Sequence, residues 1–156
     1  MKKLYNAAHI YMIVGLVSGL YYREITKLND FTGDSQLGLV HTHLLALGML
    51  FFLIVLALEK MFTLTANRLF NPFFWTYNAG LALTVTVMII RGTRTVLGHE
   101  TSEVAAHFAG GGHIILTIGL VLFFIALGKR ITETTPPVPA AAAVVRNQGI
   151  PATPGS

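Results

Sequence analysis

The sequence contains no cysteine. Disulfide bonds, iron–sulfur clusters bound by thiolates and thioether-linked c-type haem are therefore excluded, because each of them needs a cysteine sulfur. Any metal ion has to be bound through histidine, methionine or oxygen ligands.

Charged residues are also scarce. The 11 Lys and Arg and the 7 Asp and Glu make up 12% of 156 residues, against about 25% in an ordinary soluble domain. That deficit excludes a conventional water-soluble protein. Four stretches contain no charged residue and together hold 90 of the 156 residues, namely 4–22, 35–58, 69–90 and 104–128.

Each charge-free stretch is long enough to cross a bilayer, because roughly 20 residues rising about 1.5 Å each span a hydrocarbon core of about 30 Å. The sequence therefore predicts an all-α, polytopic membrane protein with four transmembrane helices. The predicted spans are about 4–22, 36–58, 70–90 and 104–128. Short loops between them favour an up-down-up-down four-helix bundle over residues 1–131. The Pro- and Ala-rich segment 132–156 is predicted to be a disordered tail.

The charges between the spans predict the orientation. With four spans both termini lie on one side, and that side carries seven basic and two acidic residues, against four basic and five acidic residues on the other. The positive-inside preference then puts both termini in the cytoplasm, with the spans in the plasma membrane. The net charge of +4 is explained in this way without nucleic-acid binding.

Histidine is the informative residue type within the spans. Five of the six histidines lie in the charge-free stretches, namely His9, His41, His43, His107 and His113, and His99 lies in a loop. An ionisable side chain in a span costs about 2.5–3.5 kcal/mol when it is charged, so each histidine needs a partner or a cavity. Four of the five lie in the predicted outer half of the second and fourth spans, and only His9 lies near the inner side.

The outer histidines lie at overlapping depths, roughly 5 to 14 Å below the outer boundary at the α-helical rise. Two facing imidazoles in a helical bundle are what axial ligation of a haem iron requires. His41 and His43 are about 200° apart around a helix, so only one of them can face the fourth span. Glycines on the stripe of His41 favour that residue, and depth slightly favours His43. The best pair is His113 with either of them.

Other residues complete this predicted site. Gly48 and Gly110 leave room for a flat ring beside the histidines, although packing between helices alone would also explain them. Arg91 and Arg94 lie three apart at the outer end of the third span, where guanidinium groups would bind haem propionates. The alternative is that the two arginines only mark the membrane boundary. The histidines could likewise be hydrogen-bond donors between helices, and His9 is assigned to that role.

Several sequence blocks resemble a family. YYREITK (21–27), VHTHLLALGM (40–49), LEK (58–60) and GHIILTIGL (112–120) are similar to a small bacterial family of four-helix membrane proteins. That family was long classed as a domain of unknown function, and it includes the haem-sensing or haem-sequestering membrane protein HsmA. The likeness spans residues 4 to about 130. It implies that haem b is captured in the membrane, which limits haem toxicity and oxidative stress, with no catalytic residue. His41, His43 and His113 are matching positions without individual roles.

Two other classes of function are alternatives to haem sequestration. A small b-type cytochrome linked to quinone would use the same haem, but the sequence provides no second pair of ligands on the inner side for electron transfer across the membrane. A cofactor-free transporter would use the histidines as proton relays, but no internal repeat or broken helix supports it. The expected partners are haem and the lipid bilayer, with a homodimer left open.

Overall fold

The protein folds into four long helices in the computed structural model, which describes residues 1–99 and 103–134; for 103–109 and 134 it describes the backbone alone. The helices are α1 (Lys2–Leu28), α2 (Leu37–Phe62), α3 (Phe70–Val96) and α4 (Glu103–Thr134). A single 3₁₀ turn, Leu64–Ala66, lies between α2 and α3. The predicted tail from residue 135 onward lies outside the described residues.

All four helices are long and apolar enough to cross a membrane, as the charge-free stretches predict. Each of them extends beyond the C-terminal end of its charge-free stretch. α1 continues to Leu28 through Arg23 and Lys27, and α3 continues to Val96 through both of its arginines. A helix extends past the hydrocarbon boundary because backbone hydrogen bonding does not stop where charged side chains begin. α4 likewise includes 132–134, which the sequence had placed in the tail.

The helices pack through glycines, and the pairing is ordered. A Cβ atom at Gly15 would lie 2.8 Å from the Leu45 side chain, and one at Gly19 would lie 3.7 Å from His41. The contacting residue on α2 therefore has a lower number as the residue number on α1 increases. The end of the molecule at which residues 29–36 join α1 to α2 is called the upper end, and the end at which residues 63–69 join α2 to α3 is called the lower end.

α3 is the most buried helix. Half of its most apolar 18-residue stretch is buried, against 22–28% of the corresponding stretches in the other helices. It approaches α4 so closely that a Cβ atom at Gly80 would lie 2.8 Å from Leu116 Cα, and one at Gly119 would lie 2.8 Å from Tyr77 Cα. Without a hydrophobic drive between helices in lipid, such backbone-to-backbone packing is a main source of association.

Aromatic rings fill the lower half of the core. Phe51 of α2 stacks on Tyr77 of α3 with ring centroids 4.3 Å apart, and its edge meets Phe123 of α4 at 5.5 Å. Phe73 contacts Phe123 at 5.1 Å. These rings join α2, α3 and α4 at one level, so the lower half of the bundle is tightly packed.

The middle of α2 is a π-helix, Leu44–Leu50, between the α-helical segments Leu37–His43 and Phe51–Phe62. π-helical turns are rare and occur frequently at functional sites. The Leu47 carbonyl within this segment accepts a hydrogen bond from the Tyr77 hydroxyl of α3 at 2.8 Å. That bond pairs a hydroxyl that would otherwise be buried without a partner, and it holds the π-helix against α3.

The segment that joins α2 to α3, residues 63–69, is called the lower link, and one buried carboxylate holds it in place. Glu59 is 6% exposed, and its two carboxylate oxygens accept hydrogen bonds from the backbone N–H of Thr65, at 2.9 Å, and from the Thr65 hydroxyl, at 2.5 Å. The chain reverses between them through Thr63, which has a left-handed backbone conformation with φ of 50°. Arg130 of α4 donates to the Phe62 carbonyl at 2.8 Å and ties α4 to the same link.

Glu59→Ala is expected to lower the free energy of unfolding by about 1–3 kcal/mol, because the Thr65 amide loses its acceptor. Lys60→Ala, at the exposed neighbouring position, should change the stability by less than about 0.5 kcal/mol. Thermal unfolding of both variants in one detergent, followed by circular dichroism, measures the difference. Equal melting temperatures would show that the carboxylate does not stabilise the link.

Candidate functional site

In the upper half of the molecule the described residues of α2 and α4 do not contact each other, and the space between them is called the groove. At the lower end these helices meet through the Phe51 and Phe123 rings and through the bond from Arg130 to Phe62. Above that level, no Cα atom of 37–50 lies within 8 Å of a Cα atom of 110–133. Both helices still pack on α3 there. α3 is therefore the floor of the groove, and α2 and α4 are its two walls.

His43 lies at the top of the α2 wall. His43, Leu47 and Phe51 follow one another at steps of four, close to one helical turn, so they lie on one side of α2. The lower two members of that stripe contact α3 and α4. The His43 ring is half-buried, and its Nδ1 lies 2.9 Å from the carbonyl oxygen of Leu39.

That hydrogen bond decides the tautomer of His43. A carbonyl oxygen only accepts, so Nδ1 carries the proton, and in a neutral imidazole Nε2 then carries the lone pair. Metal-binding histidines characteristically donate their other ring N–H to a carbonyl in this way, which fixes the ring and raises the basicity of the ligating nitrogen. The Nε2 lone pair of His43 is therefore available to a metal ion or to a hydrogen-bond donor.

His41 lies on a different side of α2. Its Cβ is near Gly19 of α1, where an added Cβ atom would lie 3.7 Å away. The ring is half-buried, and its Nδ1 has no hydrogen-bond partner within the described residues. Its Nε2 lies 3.5 Å from the Thr42 hydroxyl. The opposite orientations of His41 and His43 agree with their separation of about 200° around the helix.

His113 lies on the α4 wall. His113 lies at the edge of the face of α4 that packs on α3, because its neighbour Gly112 contacts Thr84 and His113 is about 100° further around the helix. Leu116 contacts Gly80 of α3, and Phe123 contacts Phe51 of α2. His113 itself is exposed within the described residues, and its carbonyl accepts the Thr117 hydroxyl at 2.8 Å.

The packing of both walls against α3 allows the heights of the two histidines to be compared. A Cβ atom at Gly92 would lie 2.8 Å from Leu37 Cα, so His43, six residues further down α2, is near the level of residue 86. Gly112 packs against Thr84, which puts His113 near the level of residue 83. At the α-helical rise these levels differ by roughly 4.5 Å. The two imidazoles therefore lie at similar heights on the two walls.

Arg91 lies on α3, above the level of both histidines. It follows Thr84 by two helical turns, on the face of α3 that packs against α4. Its side chain is half-buried, and its Nε has no hydrogen-bond partner among the residues whose side chains are described, 1–99 and 110–133. A buried guanidinium N–H without an acceptor costs free energy. Arg94 is exposed.

The remaining predicted residues lie elsewhere or have other neighbours. A Cβ atom at Gly48 would overlap the Tyr11 side chain of α1, so this glycine is used for packing α2 on α1. Gly110 has no atom within 4 Å of its added Cβ, which leaves open space beside α4. His99 is exposed, and the side chain of His107 lies outside the described residues.

Some features of the site were not predicted from the sequence. The π-helix below His43 has no composition that distinguishes it from an α-helix. Tyr11 donates to the Asn78 side chain at 2.7 Å, which joins α1 to α3. The sequence does contain an indication of that bond, because Tyr11 and Asn78 are polar side chains in two apolar spans, and polar side chains in a bilayer need partners. No three His, Asp or Glu side chains within the described parts of the chain group closely enough to hold a metal ion.

These observations define, over the described residues, an all-helical protein whose four helices are compatible with a multi-pass membrane protein, with His43 on α2 and His113 on α4 in its upper half. The chain belongs to the family described as "Protein of unknown function (DUF2871)", whose family model matches residues 1–130. The match covers all four helices up to Arg130. No curated protein and no solved structure matches the chain.

Proposed function

We propose that the protein is a non-enzymatic integral membrane protein that sequesters haem b in the groove between α2 and α4. His43 and His113 are the two axial ligands, and Arg91 binds a propionate. Sequestration keeps haem iron from reacting with peroxides, which protects the cell from haem toxicity and oxidative stress. The resemblance to the haem-sequestering family that includes HsmA supports the same function.

The hydrogen bond from His43 Nδ1 to the Leu39 carbonyl is the observation that carries this proposal. It leaves the Nε2 lone pair of a half-buried imidazole without a role in the packing of the bundle. A histidine that served only to join helices would use its ring nitrogens for bonds to a neighbouring helix. His43 bonds to its own helix instead, which favours a ligand role.

The unpaired Nε of Arg91 supports the same site. A carboxylate is the partner that best suits a guanidinium group, because it accepts two parallel hydrogen bonds. Haem brings two carboxylates of its own, and the floor of the groove above the two histidines is where a propionate would lie.

The proposed setting is a bacterial plasma membrane. The four helices run up, down, up and down. Both termini lie in the cytoplasm, because the lower end carries the excess of basic residues. The haem groove then lies in the outer half of the bilayer.

Titration of the protein in nanodiscs with hemin tests this function. A Soret band that saturates at a fixed ratio of hemin to protein is expected, whereas protein-free nanodiscs should show only unsaturable partitioning of hemin into lipid. If the two titrations coincide, the protein does not bind haem and the proposal is wrong.

Arg91→Leu is expected to weaken hemin binding about 10- to 100-fold, the equivalent of about 1.5–3 kcal/mol for a hydrogen bond to a charged group. Hemin dimethyl ester, which has no free carboxylate, should bind the wild type and Arg91→Leu equally. Arg23→Leu is the matched control, since Arg23 is an exposed arginine at the same end. Equal hemin affinity of the wild type and Arg91→Leu would contradict the assigned role of Arg91.

A further inference from the structure

A small cavity lies between α1 and α2 in the lower half of the molecule, away from the proposed haem groove. Its volume is about 240 Å³, and its lining consists of Tyr5, Ala8, His9, Met12, Met49 and Leu53. One imidazole and two thioethers thus line a single cavity. The proposed haem site uses none of these residues.

The helix geometry explains why the three side chains meet. His9 and Met12 lie three apart on α1 and therefore share one face. Met49 lies opposite them, since Gly48 packs against Tyr11 in the same layer. Tyr5 stacks on His9 with ring centroids 5.9 Å apart and planes inclined by 23°, which restrains the imidazole. His9 is exposed, and both methionines are half-buried, so the cavity can be reached from the surface.

We propose that His9, Met12 and Met49 form a binding site for a single soft monovalent metal ion, Cu(I). Thioether sulfur is a soft ligand that selects Cu(I), and imidazole also suits copper. Three neutral ligands leave the charge of the ion uncompensated, and burying one positive charge costs far less than burying the two of Zn(II).

The size of the cavity separates this site from the haem site. Pockets for drug-sized ligands have volumes of about 300–1,000 Å³, and a porphyrin is larger still than most such ligands. A cavity of 240 Å³ is below that range, and a Cu(I) ion bound by side chains of the lining would fill only part of it. Methionine also fills irregular gaps in apolar cores, and a gap-filling role for Met12 and Met49 is the explanation that the experiment has to separate from metal binding.

Competitive titration tests the site in purified protein held in nanodiscs, with a chromophoric Cu(I) chelator under anaerobic reducing conditions. The wild type is expected to withdraw one equivalent of Cu(I), and Ag(I) should compete for it while Zn(II) should not. Met12→Leu and Met49→Leu keep the packing volume and should each weaken Cu(I) binding at least about 10- to 100-fold, as should His9→Gln. Met61→Leu is the control, because Met61 is 67% exposed and away from the cavity.

Hemin titration of the same variants distinguishes this proposal from the haem proposal. Met49→Leu should leave the Soret band and the hemin affinity unchanged, and a protein that fails to bind hemin should still bind Cu(I). Wild-type Cu(I) affinity in both Met12→Leu and Met49→Leu would overturn the copper site and leave the gap-filling explanation. An altered Soret band in Met49→Leu would also overturn it, because the methionine would then be close to the haem.

Discussion

His43→Ala is expected to abolish the saturable Soret band, with hemin affinity reduced at least about 100-fold. The alanine removes one of the two imidazoles proposed to bind the iron, and a direct ligand is worth more than the factor of about 10–100 typical of residues one shell further out. His113→Ala should have an effect of the same size, because a haem held between two helices needs both ligands. Absorption spectra of the purified variants during a hemin titration measure both effects.

Two further measurements show whether the loss in His43→Ala is specific. Added imidazole should restore part of the band in His43→Ala, since a small free ligand can enter the space left by the ring, whereas an unfolded variant would not recover. His41→Ala should retain the band, because His41 lies against Gly19 of α1. If His41→Ala loses the band and His43→Ala keeps it, His41 is the ligand and the assignment of the groove is wrong.

The four helices could be predicted from the distribution of charge, because the free energy of putting charges into a bilayer is large and acts over whole helices. Their ends could not be predicted to the same degree. The helices continue past the predicted spans through Arg23, Lys27 and the arginines of α3. Long charged side chains can reach polar surroundings while the backbone remains helical.

The angle between His41 and His43 around the helix could be derived from the sequence. Which neighbouring helix each of them faces could not. Helical periodicity alone gives the angle between two side chains on one helix, and nothing about where the other helices lie. The glycine stripe that favoured His41 marks the side where α2 approaches α1, as the packing of Gly48 on Tyr11 shows. On α2 the small residues mark the side that packs on α1, and His43 lies on the opposite side of that helix.

The π-helix illustrates a second limit. A π-helical turn is stabilised by contacts made after the helices have assembled, such as the bond from Tyr77 to the Leu47 carbonyl, and the residues 44–50 would form an α-helix by local preference alone. The position of Phe51, and with it the contact between α2 and α4, depends on that widened segment. The shape of the groove therefore follows from tertiary contacts that no local pattern in the sequence contains.

The close approach of α3 and α4 leads to the second large effect. Gly80→Val is expected to destabilise the protein by about 3 kcal/mol, because its Cβ would lie 2.5 Å from Leu116 N and 2.8 Å from Leu116 Cα, and overpacking in a dense core costs about 1–3 kcal/mol or more. Backbone atoms cannot move aside by changing rotamer, so α4 as a whole has to shift. Reversible unfolding in mixed micelles of increasing denaturing detergent measures the loss.

Gly111→Val is the matched control for this substitution. Gly111 is also a helical glycine, but no atom lies within 4 Å of its added Cβ, so the change should alter stability by less than about 0.5 kcal/mol, as expected from helix propensities alone. Gly80→Val should in addition weaken hemin binding, since a shift of α4 moves His113 away from the level of His43. Similar stability of the two variants would contradict the close packing of α3 on α4. A destabilised Gly80→Val with wild-type hemin affinity would instead show that haem binding does not depend on the position of α4.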